Sequence, residues 1–261
     1  MHTNSDKKQA GLIYKSSPVL EGIKGFCHGF FSRQGGFSKK PFDSLNVSFD
    51  VGDLETDVIK NRKLILNEFG FGKMVSVHQV HGVDAFIPGP FDGCFGEHCT
   101  NGFDADIIIT DNPGQLLMVK TADCQPVIIA DEVKRVCAVV HSGWRGSVQN
   151  VICRAVDKMI EKYSCAPLNM KAAVGPALGP CCAEFKKYRK EIPEEFWDYR
   201  VGEYNFDFRA ISVFQLESAG LKKKNIWVDN HCTKCNYKHY FSYRNRKVTG
   251  RQASVAGWLH L

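Results

Sequence analysis

No run of this sequence approaches the roughly 18–20 consecutive apolar residues that a membrane-spanning helix needs, so no membrane partner is expected. The N-terminal stretch MHTNSDKKQAGLIY carries charge but has no apolar centre, so it does not read as a secretory signal. Internal repeats and low-complexity tracts are also missing, which excludes solenoids and fibrous arrays. A strong charge of one sign is missing as well. Lys and Arg exceed Asp and Glu by 34 to 28, an excess too diffuse to imply a nucleic-acid partner. What is present is ordinary for a globular protein: 261 residues, 44% hydrophobic and 24% charged. That length suits one large domain or two small ones, and no linker divides it. Eleven cysteines are many. Their odd number, with no secretion signal, favours reduced thiols in a cytoplasmic protein.

Along the chain, residues 1–10 are polar and expected to fray. Residues 32–46 (SRQGGFSKKPFDSLN) read as a loop rich in glycine and serine, and helical spacing follows near 58–71. Residues 89–104 read as a long glycine-bearing loop, a feature that is more often functional than accidental. Buried strands are expected at 115–120, 126–130, 135–141 and 170–174, with later ones at 226–229 and 252–258. A turn at 142–146 leads into a helix over 147–163, with Val151, Ile152, Ala155 and Met159 on one side. Another helix is expected at 210–219. This interleaving without strict βαβ repetition predicts a mixed α/β, or α+β, domain around one core.

Three short segments stand out chemically: VHQVHG at 77–82, TADC at 121–124 and HSGWRG at 141–146. Each places a soft or borderline ligand at a strand end beside a turn. His81, Cys124 and His141 are ligand types that zinc accepts. Three protein ligands with a fourth position left open describe a catalytic zinc site. The separations of 43 and 17 residues are too long for a zinc finger, so the fold would have to assemble the site. The same residues also fit a Cys124 nucleophile with His141 as its base, or plain core packing. A CxxC at Cys232–Cys235 lacks a second pair at ribbon spacing, and Cys94, His98 and Cys99 are its remaining conceivable partners. The adjacent Cys181 and Cys182 read as buried thiols. The basic runs at 186–190 and 222–224 read as solvated faces.

QVHG, TADC and HSGWRG, in that order, resemble the signatures of the YfiH-like laccase-domain family, whose members are also named polyphenol oxidoreductases or purine nucleoside phosphorylases. FFSRQGG at 30–36, SLN at 44–46, Asn61-Arg62, VGP at 174–176, CCAE at 181–184, CTKC at 232–235, FSYR at 241–244 and TGR at 249–251 extend the likeness from about residue 25 to the end. The resemblance implies an N-terminal segment, 1–24, ahead of one catalytic domain, 25–261, with an α/β/β/α layered fold. It also implies a metal, zinc or copper, held by His81, Cys124 and His141. Residues an odd number apart on a strand face opposite ways, so only one of His78 and His81 should enter the site; the family pattern selects His81 and leaves His78 a supporting residue.

The implied activity is phosphorolysis of purine nucleosides (adenosine, inosine, methylthioadenosine), with adenosine deamination beside it. Zinc lowers the pKa of water it binds toward about 7, which suits attack at C6 of adenine; Asp123 and Glu184 are candidate proton carriers. Phosphorolysis needs a phosphate site. Arg33, Arg145 and Arg251 are candidates for it, helped by the N-terminus of the helix expected after HSGWRG. Trp144 is a candidate purine stacker, and Asn46 and Gln79 are candidate sugar or base partners. The rivals are a copper-dependent phenol oxidase, a Cys124/His141 hydrolase acting on cell-wall precursors, and a nucleoside-sensing binding protein. Nine histidines without one HxH pair offer little to a multicopper centre. A monomer or homodimer is expected.

Overall fold

A computed structural model describes residues 6–9, 11–93 and 100–260. Its frame is two mixed sheets. The seven-stranded sheet runs, in spatial order, Asp6–Gln9, Leu12–Lys15, Phe26–Phe31, Gln252–Trp258, Gln115–Thr121, Lys73–His78 and Thr100–Asp104. The six-stranded sheet runs Ile226–Val228, Met170–Val174, Gln125–Asp131, Val136–Ser142, Ile107–Thr110 and Ala85–Phe86.

Side-chain alternation along these strands sorts the core into layers. Leu117, Val119, Phe30 and Trp258 of the first sheet meet Ile128, Ala130, Cys137 and Val139 of the second. The opposite face of the first sheet, with Leu116, Met118 and Val255, packs on Ile65 and Leu66 of helix Glu55–Phe69. The outer face of the second, with Val127, Ile129, Ala138 and Val140, packs on Val151, Ile152, Ala155 and Met159. The result is the expected α/β/β/α order. Both central sheets are covered on both faces, so their strands read as continuous apolar runs.

Several local expectations are corrected. Residues 6–9 do not fray: their backbone pairs with Leu12–Lys15 through Gly11, whose φ is 87°. An edge strand recruited by backbone pairing leaves no apolar pattern to read. The helix expected over 147–163 is two helices, Trp144–Val148 and Val151–Tyr163, broken at Asn150 with φ 62°. The loop expected at 89–104 ends in strand Thr100–Asp104, which lies parallel to Lys73–His78. The Cys94, His98 and Cys99 group falls outside the described residues. Among the described residues, no helix is long and apolar enough to cross a membrane.

Candidate metal centre

The chain passes from the first sheet to the second three times at one end of the sandwich: between His78 and Ala85, between Asp104 and Ile107, and between Thr121 and Gln125. His81, Asp106 and Cys124 sit in these three crossings, and His141 stands near the end of strand Val136–Ser142. Residues 43 and 17 positions apart therefore meet because the crossings stack at one edge. One ligand atom from each of His81, Cys124 and His141 lies within 4.8 Å of the others. The Cys124 Sγ is 3.8 Å from His81 Nε2, and the two imidazole rings lie 4.8 Å apart, nearly perpendicular.

Two backbone features hold this arrangement. His81 and Asp123 have φ of 62° and 88°, left-handed values that cost a non-glycine residue about 1–3 kcal/mol and cluster at functional sites. The turn at His81 is stabilised by Asp106. That carboxylate is fully buried and accepts hydrogen bonds from the backbone N–H of Val80 (3.2 Å), His81 (3.1 Å) and Gly82 (2.6 Å). The second feature is Gly143. A Cβ there would lie 2.6 Å from His81 Cδ2 and 3.3 Å from Cys124 Sγ, so only glycine lets this segment pass behind the ligands.

Asp106 also orients His141, whose Nδ1 is 2.6 Å from its Oδ1. That leaves Nε2 as the ring's remaining ligand atom, the carboxylate–histidine pattern common behind metal sites. Burial pushes the Asp106 carboxyl up, but His141 and the Gly82 and His81 amides outweigh it and hold its pKa below the ordinary value. Burial likewise raises the Cys124 thiol, yet the charge and hydrogen bonds of His141 and His81 bring it down to about 6. His141 is carried up to about 9: burial lowers it, but the Cys124 and Asp106 charges prevail. A ready thiolate beside His81 and the carboxylate-backed His141, which gives up its ring proton when a metal binds, is a donor set that fits a metal ion.

Two cavities meet at these ligands. Both are lined by His81, Ala122, Cys124 and Tyr243. The first, about 460 Å³, adds Asp50, His78, Gln79, Lys120 and Arg251. Lys120 is buried, with its ammonium 3.4 Å from Asp50. Behind them stands Arg62, 1% exposed, with both terminal guanidinium nitrogens lacking hydrogen-bond partners. The second, about 320 Å³, adds Trp144, Leu178, Phe185, Phe208, Arg145 and Arg244. Lys120 and Arg251 are set against Asp50 in the first chamber, whereas the second gathers the aromatic side chains together with three cations, Arg145, Arg244 and Lys247.

Other expected site residues are placed unevenly. Gln79 lines the first chamber, but its amide is spent on the backbone N–H and C=O of Lys120. Arg145 stacks over Trp144 at the second chamber. Asn46 lines neither chamber: it is fully buried, and its amide bonds Ser48, Asp53 and the backbone N–H of Arg251. Arg33 is likewise turned elsewhere, onto Asp43 and the Tyr237 carbonyl with its guanidinium over Phe241. Both polar groups are satisfied within the scaffold, so both shape the loops around the site rather than face it. Asp123 has both carboxylate oxygens occupied, by Thr233 Oγ1 and the Arg244 backbone N–H at 2.6 Å each, and Glu184 lines neither chamber. His78 does line the first chamber, paired with Asp104 at 2.7 Å. The strand ends at His78 and His81 lies in the following turn, so strand alternation does not separate the two histidines.

Sequence reasoning missed Asp106, Lys120, Asp50 and Tyr243. Two of them carried a signal: Asp106 directly precedes the apolar run Ile107–Ile109, and Lys120 directly follows the apolar run Leu116–Val119 within one strand. A charge inside a fully buried strand pattern needs a partner. The reading of Cys181 and Cys182 as buried thiols is also corrected. Cys181 is exposed and Cys182 partly so, and both approach the CxxC at Cys235.

The chain belongs to the family described as multi-copper polyphenol oxidoreductase laccase, whose sequence pattern matches residues 27–259. Among its relatives is the "Purine nucleoside phosphorylase YlmD" of Geobacillus stearothermophilus, 32% identical over 247 residues that span 89% of this chain and 90% of the relative. The "Purine nucleoside phosphorylase YfiH" of Shigella flexneri is 32% identical over 95% of this chain and 98% of its own length. The crystal structure of YlmD from Geobacillus stearothermophilus superposes with a TM-score of 0.86 over 99% of this chain and 100% of that one, at 28% identity.

Proposed function

We propose that the chain is a metal-dependent purine nucleoside phosphorylase that converts adenosine, inosine or methylthioadenosine, with phosphate, to the free base and the sugar 1-phosphate. One observation carries this reading: a set of metal-ligating atoms stands where a chamber holding Lys120 and Arg251 meets a second one walled by Trp144, Phe185 and Phe208. Relatives bearing the phosphorylase name support it. Residues 25–261 are read as one catalytic domain. The described cysteines, none of them in a disulfide, support a reducing compartment such as the cytoplasm.

Phosphorolysis needs an anion and a flat apolar base presented to one sugar carbon. Lys120 and Arg251 line the first chamber and hold the phosphate, with Arg62 adding charge from behind. The purine lies in the other chamber against Phe185, Phe208 and Trp144, and Arg145 steadies the indole. Tyr243, shared by both chambers, bonds the ribose between them. A phosphate oxygen forms its bond to C1′ as the C1′–N9 bond breaks, and the released pair goes to the base, which takes up a proton. A zinc ion on His81, Cys124 and His141 supplies Lewis acidity at that junction when bound. Copper follows zinc closely in fitting such donors and binds them more tightly. Adenosine deamination is the second reaction of this junction, because the aromatic-walled chamber brings a purine ring beside the ligand set.

Incubation of the protein with adenosine, with and without phosphate, tests the reading by chromatography. Adenine and ribose 1-phosphate, formed only with phosphate and lost on Cys124→Ala, support it. Inosine as the sole product assigns deamination instead. Unchanged adenosine at any protein concentration points to a nucleoside sensor. Turnover that survives full chelation but not Cys124→Ala gives the chemistry to the Cys124–His141–Asp106 chain as a thiol hydrolase would use it.

A further inference from the structure

A second cluster of soft ligands lies outside the chambers. Strands Met170–Val174 and Ile226–Val228 are parallel neighbours, so the loops that follow them leave the sheet at the same end. The loops are joined there: Ala177 bridges Cys232, and the Thr233 N–H donates to the Ala177 carbonyl at 3.0 Å. The buried Arg209 guanidinium ties both, donating to the carbonyls of Ala177, Asn230 and His231. Cys181 and Cys182 come from one loop, Cys232 and Cys235 from the other.

The four sulfurs all lie within 4.8 Å of one another. Cys235 Sγ is 3.7 Å from Cys181 Sγ and 3.6 Å from Cys182 Sγ. Those separations are too long for disulfides, but they match the edge of a tetrahedron of sulfurs around zinc, about 3.7–3.8 Å for Zn–S bonds of about 2.3 Å. Backbone N–H groups of Gly179 and Cys235 also bond the Cys232 sulfur, as donors to a coordinated thiolate do.

We propose that Cys181, Cys182, Cys232 and Cys235 bind a zinc ion as a closed four-thiolate site, separate from the centre at Cys124 and independent of the reaction assigned there. Four protein ligands leave no position for a reactant, so this zinc is structural. It clamps two loops that reach the reactive centre. Thr233, inside the CxxC, bonds Asp123. Arg244, which donates to the Cys182 carbonyl, holds the other oxygen of Asp123 through its own backbone N–H. Asp123 is the residue before Cys124.

Elemental analysis of protein purified in reductant, loaded with zinc and freed of excess metal tests the site. Two zinc ions per wild-type chain are expected. Cys124→Ala retains one, and adding Cys232→Ser and Cys235→Ser to that variant removes it. Cobalt loading of Cys124→Ala gives an independent reading that needs no loop variant: strong thiolate-to-cobalt charge-transfer absorption marks a multi-thiolate site. Zinc-free Cys124→Ala, with no such absorption and with these four sulfurs either freely titratable or oxidised to disulfides, overturns the proposal. A zinc ion at the Cys124 centre with none here would do the same while leaving the proposed function intact.

Discussion

The two ligand clusters are built in opposite ways. The His81–Cys124–His141 centre is assembled where the chain crosses between sheets, so its ligands are separated by core strands and fixed by a buried carboxylate. The four-cysteine cluster is assembled from turns beyond the sheet edge and depends on two loops meeting. The first has three ligands of mixed type and opens into two chambers. The second has four of one type and opens into none of the cavities that adjoin the first. Ligand number and the stiffness of the supporting backbone thus separate a centre that can meet a reactant from one that can only fasten loops.

That contrast can be broken most sharply at Cys124. Cys124→Ala should abolish phosphorolysis and lower the metal content by one ion per chain, with the far-ultraviolet circular dichroism unchanged. Retained turnover would remove the metal ligand role. Gly143→Ala pushes a methyl group against the His81 ring. A displacement near 1 Å at a reacting centre costs about 100-fold in rate, and kcat should fall on that scale while the melting transition stays cooperative. Asp106→Asn leaves His141 its neighbour but removes the charge behind it. Metal affinity should drop about 10–100-fold, measured by competition with a chelator, whereas the four-cysteine site should keep its ion.

The pH response separates the clusters further. In metal-stripped protein the Cys124 thiol, held near 6, should be alkylated at a nearly constant rate above pH 6. Its rate should fall as pH drops through that value, because a depressed pKa keeps the thiolate present above it and loses it below. A midpoint near 8.5–9, where an unperturbed thiol titrates, would show that His141 and His81 do not stabilise the thiolate. The smallest effect is expected at Arg33. Arg33→Ala should leave KM for phosphate unchanged and lower stability by about 1 kcal/mol through its lost bonds to Asp43 and Tyr237. A tenfold rise in KM would return Arg33 to the phosphate site.

Strand positions at 115–120, 126–130, 135–141 and 252–258 were legible because both sheets are covered on both faces, and such strands announce themselves as apolar runs. The edge strand Asp6–Gln9 was not legible, since it pairs through its backbone. His81, Cys124 and His141 were legible as residue types beside turns. Asn46 and Arg33 line neither chamber, and a polar side chain in a glycine-bearing loop reads alike whether it faces a ligand or satisfies the loop's own carbonyls. The Cys181–Cys182 pair misled because adjacency in sequence hid that its partners are 53 and 54 residues away.

Local chemistry by itself determined which residues can bind a metal, which segments must be buried and that the sequence holds no apolar run of membrane length, because these depend on side-chain type and short-range spacing. Only the tertiary structure decided that three sheet crossings bring His81, Asp106 and Cys124 to one point beside His141, and that two parallel strands deliver four cysteines to another. Those outcomes depend on the order and direction of strands in space, which residue type and short-range spacing do not record.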